Sequence, residues 1–151
     1  METKTFTDQI RRRLSPSPYT GEHDVRGTVL DLVMTRRTRV RRDVLAVTHL
    51  DRADGIEPLL AACRAAVRGV VGRIWPPIRL QLVVAGPERE WLVALDRIVP
   101  DGPVPRPVHL TAIYLVDPET GRWQAVARSE ERSGREVDGS LEDQLAMILA
   151  A

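Results

Sequence analysis

Between residues 55 and 74, Ile56, Leu59, Leu60, Cys63, Ala66, Val67, Val70, Val71 and Ile74 form one stripe at helical spacing. A stripe of about five turns must be covered by another apolar surface, and a helix alone has none to offer. The flanking segments supply it. Residues 43–50 are apolar and rich in β-branched side chains. Residues 78–85 alternate, with Ile78, Leu80, Leu82 and Val84 set against Arg79 and Gln81. Strand, helix, strand is the arrangement these periods predict. Asp54, with Glu57 three residues on, suits the helix N-terminus, Pro58 suits its first turn, and Trp75-Pro76-Pro77 ends it.

The other elements follow from the same periods. Phe6, Ile10 and Leu14 predict a short helix over 3–14, with Thr5 and Asp8 as a capping pair. Ser15-Pro16-Ser17-Pro18 stops it, because proline blocks the helical conformation of the residue before it, and 15–24 reads as an arm. Residues 28–35 fit a strand or, through Val25, Val29, Leu32 and Val33, a helix, with the strand preferred on β-branched content. Residues 88–99 fit a helix opened by Pro87, or a strand paired with 78–85, with the helix preferred. The prolines of 100–107 make an extended connector. Residues 108–117 and 122–129 read as a hairpin around Asp117-Pro118-Glu119-Thr120-Gly121. Residues 130–140 are polar and read as loop, and 141–150 as a terminal helix capped by Ser140.

These elements predict a single α+β domain spanning 1–151, with 1–24 as an N-terminal helix and Pro/Ser arm. Its mostly antiparallel sheet of about five strands carries one long helix, with short helices at both termini. The pair 43–50 and 78–85 also suits a parallel βαβ unit, which would make the sheet mixed.

Composition bounds the function. With 151 residues, 43 % hydrophobic and 28 % charged, the chain is an ordinary globular domain, not a disordered or collagen-like one. No apolar run reaches the roughly 18 residues of a membrane span, and no apolar segment follows Met1 as in a signal peptide. The single Cys63 excludes an internal disulfide framework, and a buried, inert thiol suits its place on the stripe. Of 22 basic residues only Lys4 is lysine, Asn is absent and Phe6 is the only Phe, which points to a GC-rich, bacterial genome. The expected location is the cytoplasm.

The net charge is +1, but 1–50 holds ten basic and six acidic residues, against twelve and fifteen in the rest. Arg36, Arg37, Arg39, Arg41 and Arg42 concentrate the excess in seven positions. Such a run can contact phosphates, and Arg11, Arg12 and Arg13 are candidates for the same face. The favoured reading is a solvated turn paired with the acidic segment 130–143, since the overall charge is near neutral and no aromatic residue interleaves with the run.

Two tripeptides raise an enzymatic alternative. His109-Leu110-Thr111 and His49-Leu50-Asp51 stand at strand ends. An H-x-T pair of this kind resembles the active site of the two-histidine phosphoesterases, in which each histidine exchanges a proton and each hydroxyl binds phosphate. The resemblance names His49, His109 and Thr111, but Asp51 stands where the second hydroxyl belongs and would repel phosphate. No metal-ligand spacing, nucleophile elbow or phosphate loop is present, so neither metal nor cofactor is expected. The expectation is a non-enzymatic binding, regulatory or assembly module acting through protein contacts, a homodimer included. Nucleic-acid binding through 36–42 is the alternative, and phosphoesterase chemistry at His49 and His109 the second.

Overall fold

A computed structural model of the chain describes residues 1–15, 18–72, 77–98, 107–126 and 135–150, with the backbone alone at 135–140. The chain runs α1 (Thr3–Leu14), β1 (Gly21–Glu22), β2 (Leu32–Arg37), β3 (Arg42–His49), α2 (Ile56–Val71), β4 (Ile78–Ala85), α3 (Glu88–Leu92), β5 (Val108–Asp117), β6 (Arg122–Val126) and α4 (Arg135–Ala150). The six strands form one sheet in sequence order. Pairing is antiparallel from β1 to β3 and between β5 and β6, and parallel across β3, β4 and β5. The protein is an α+β domain with a mixed sheet whose parallel core carries antiparallel flanks.

Helices cover both faces. Ile56, Leu59, Cys63 and Val67 of α2, with Trp91 of α3, pack on Val44, Ala46, Leu80, Leu82, Val84, Ile113 and Leu115. Phe6, Ile10 and Leu14 of α1, with Leu141, Leu145 and Ile148 of α4, pack on Leu45, Val47, Val83, Ala85, Tyr114 and Val116. The connections β3–α2–β4 and β4–α3–β5 step the same way across the sheet, and crossovers of one hand leave their helices on one face. The other face is left to the terminal helices. Covered on both sides, the central strands read as nearly continuous apolar runs.

The structure refines the sequence reading at several points. The sheet has six strands, because the arm of 15–24 contains β1; the amides of Thr20 and His23 extend its pairing by donating to the carbonyls of Thr35 and Val33. Two residues are too few to carry a periodic signal. The strand expected over 28–35 begins at Leu32 and extends through Arg37, so the basic connection shrinks to 38–41. The C-terminal helix is not short. It starts at Arg135 and equals α2 at 16 residues, which leaves Ser140 inside it. The helix preferred for 88–99 is present as α3 followed by a turn of 3₁₀ helix at Leu95–Arg97. Asp54 does not cap α2. Gly55 takes that position at a φ of 106°, which a side chain would strain. Thr5 caps nothing either, since α1 starts at Thr3 behind Glu2, and Asp8 pairs with Arg11 instead. The expected helix end at 73–76, most of the proline connector (99–106), the far end of the returning strand and the loop of 130–134 lie outside the described residues.

Candidate nucleic-acid interface

The parallel strands give the sheet an entry end, where β3, β4 and β5 begin, and an exit end, where they finish. The arginine run sits at the entry end. Arg36 and Arg37 close β2, Arg42 opens β3, and Thr38–Arg41 make the turn between them. Thr38 holds that turn: its amide donates to the Arg41 carbonyl (2.9 Å) and its hydroxyl accepts from the Arg41 amide (3.2 Å). Arg39 and Val40 project at the apex, with Val40 70 % exposed.

The five arginines do different things. Arg36 faces Asp43 across the β2–β3 ladder and donates to one of its carboxylate oxygens (3.1 Å), and Arg41 donates to the other (3.0 Å). Asp43 is buried, so its charge is compensated by both guanidinium groups. Arg42 is buried and donates to the carbonyl of Val71 at the end of α2, which carries the negative pole of the helix. Burial pulls the Arg42 pKa down, and the charge of Arg37, its direct partner in register, pulls it down further. Arg37 and Arg39 are exposed and make no ion pair among the described residues. Arg68, also exposed, lies on the last turn of α2 at the same end of the sheet, and Arg64 donates to the carbonyl of Val108 there. Of the described residues of this hairpin, Asp43 is the one carboxylate among five arginines.

Among the described residues, Arg36 and Arg41 do not find their partner in the acidic segment, where the side chains of 135–140 are not described. Asp43 has that role, and Glu142 of the acidic segment instead accepts from the hydroxyl of Tyr114 (3.2 Å). Residues 130–134 of the segment lie outside the described residues. Asp43 as the clamp was legible in the alternation, because residues 41 and 43 share a strand face and 36 opposes 43 once the hairpin register is known. Arg11 is not brought to this end: with Thr3 and Thr7 of α1 it lines a cleft beside His49 at the exit end, and it pairs with Asp8 and Glu22.

The two histidines are not brought together. His49 ends β3 and His109 is the second residue of β5; through β4, His49 is level with Val116 and His109 with Asp43. Six residues of strand separate those levels, about 20 Å along the sheet. Thr111 is occupied elsewhere. It is the extra residue at the bulge where the β4–β5 register shifts, and its buried hydroxyl donates to the carbonyl of Leu80 (3.0 Å). His49 has its own partners: Nδ1 lies 2.5 Å from Asp31 and Nε2 3.0 Å from Asp51. Nothing in the sequence placed Asp31 beside His49, since they lie 18 positions apart across a hairpin.

Cys63 is buried, and desolvation pushes its thiol up to about 12, far from a reactive thiolate. Among the described residues no group of three or more His, Cys, Asp or Glu side chains could hold a metal ion. Among them, too, no helix is long and apolar enough to cross a membrane. The fold and its basic edge define the protein's class as an α+β domain with a cationic β-hairpin. The chain matches no protein family model, no curated protein and no solved structure.

Proposed function

We propose that the protein is a nucleic-acid-binding module of the bacterial cytoplasm that grips the phosphate backbone with its β2–β3 hairpin. The observation that carries this reading is the charge balance of the hairpin: one carboxylate, already shared by Arg36 and Arg41, against five guanidinium groups. Arg37 is held in register against Arg42, a like-charge pairing that costs stability in isolation and that a phosphate would relieve. Arg36 and Arg41, clamped by Asp43 yet about a third exposed, present a preorganised pair beside the freer Arg37 and Arg39. No aromatic side chain interleaves with them, so recognition rests on the backbone and not on base stacking.

The test is fluorescence anisotropy with a labelled DNA duplex over a salt series. Each phosphate contact contributes about 0.9 to the slope of log affinity against log salt. Replacing Arg37 and Arg39 together by Ala is expected to lower that slope by about 2 and to weaken binding uniformly across sequences. An affinity that these substitutions leave unchanged would refute the reading.

A second reading, an assembly module acting through protein contacts and forming a homodimer, has its own observation. Leu92 and Val93, adjacent at the end of α3, are 45 % and 73 % exposed. If they form the contact, light scattering shows a dimer that Val93→Asp converts to monomer.

A further inference from the structure

A cleft of about 430 Å³ opens at the exit end, away from the arginine hairpin, between α1 and the ends of β2 and β3. Thr3, Lys4 and Thr7 of α1 line one side, and Asp31, His49 and Arg52 the other. Local structure assembles the second group. Asp31 precedes β2 and its amide donates to the carbonyl of Val47 (2.7 Å), which sets it beside the end of β3. His49 ends β3, and a single 3₁₀ turn at Leu50–Arg52 folds the chain back so that Arg52 reaches Asp31. The Asp31 side chain is 14 % exposed, and both of its oxygens are taken, one by His49 Nδ1 and the other by Arg52.

That saturation fixes the imidazole ring and leaves Nε2 as the group presented outward. Nε2 already contacts a carboxylate oxygen, that of Asp51 at 3.0 Å, and Asp51 is 81 % exposed on the turn. The ring therefore holds one permanent anionic partner and one that is exchangeable. Around the exchangeable position the cleft supplies Lys4, the remaining N–H groups of Arg52 and the Thr3 hydroxyl, whereas Asp8 and Arg11 on its rim neutralise each other. A mobile anion thus finds a donor set that the fold has spent Asp31 to preorganise.

We propose that this cleft binds a small-molecule phosphate monoester, with His49 Nε2, Lys4 and Arg52 as its donors and with the ligand displacing the Asp51 carboxylate. The volume suits a sugar phosphate or mononucleotide and excludes a folded partner. The site is independent of the hairpin, which lies at the other end of the sheet.

The experiment is an NMR titration of the full chain, read at the His49 ring, with sulfate, inorganic phosphate and ribose 5-phosphate as probes. Asp31, Asp51, Asp8, Lys4, Arg11 and Arg52 are the charges that face the His49 ring. Lys4→Gln, an exposed change that leaves the fold intact, is expected to weaken binding by about 5-fold, and Asp51→Asn to tighten it by about 3-fold by removing the competitor. Ribose 5-phosphate binding more tightly than inorganic phosphate supports the monoester; equal binding would overturn it in favour of the free ion. No shift of the His49 resonances, or shifts that neither Lys4→Gln nor Asp51→Asn alters, would overturn the proposal. Loss of duplex binding in the hairpin variants leaves these readouts unmoved, so the two ideas fail separately.

Discussion

The two ends of the sheet use charge in opposite ways. At the exit end, carboxylates are consumed by the fold. Asp117, buried at the end of β5, accepts from the amides of Glu88 (2.9 Å), Glu119 (3.0 Å) and Thr120 (3.3 Å), which ties the β5–β6 turn to the start of α3. Asp31 is consumed by His49 and Arg52. At the entry end, five arginines meet one carboxylate, and two of them, Arg37 and Arg39, have no ionic partner among the described residues. A charge with all its hydrogen bonds made inside the chain contributes to stability; a surplus held in place is what the proposed phosphate contact draws on.

The sharpest way to break this contrast is Asp117→Ala. It strands three backbone amides, so unfolding in urea should show a loss of about 2–4 kcal/mol, or about 5–12 °C in Tm, with duplex affinity unchanged. Asp43→Asn comes next. Asp43 is buried and holds two partly exposed arginines, so a loss of about 1–2 kcal/mol is expected, together with tighter duplex binding and a steeper salt slope. If affinity falls instead, Asp43 matters by positioning Arg36 and Arg41 rather than by neutralising them. Arg37→Ala should leave stability within about 0.5 kcal/mol or raise it, because it removes the repulsion against Arg42, and should lower the salt slope by about 1.

The smallest effect is in acid. Burial alone would raise the pKa of Asp117, but the amides of Glu88, Thr120 and Glu119 outweigh it and hold the carboxyl below its ordinary range. Its contribution is therefore complete above about pH 4 and is lost as the pH falls through that value toward the depressed one. The variant Asp117→Asn should lose stability less steeply than the parent below about pH 4, as followed by thermal melts at stepped pH.

Much of the architecture was legible locally. The bounds of α1 and β5 agree with the periods read over 3–14 and 108–117, because a stripe or an alternation is a property of neighbouring residues. Other features were not. β1 is too short to have a period. The N-terminal half of α4 carries Gly139 and Ser140, which read as loop, and the apolar stripe from Leu141 onward packs the helix on the sheet regardless of that local preference.

The candidate sites divide along the same line. The cationic run, the thiol on the apolar stripe and the two histidines were all visible as residues, since each depends on identity and sequence spacing alone. Their roles depended on register. Pairing 36 with 43 turned Asp43 into a clamp, and pairing 37 with 42 set two cations face to face. The parallel alignment of β3, β4 and β5 put His49 and His109 at opposite ends of the sheet. The β2–β3 hairpin and the 3₁₀ turn after β3 brought Asp31, His49 and Arg52 into one cleft. Composition and periodicity decide what each segment is, because they act over a few residues. Which charges meet is decided by strand order and register, which arise only when distant segments share one sheet.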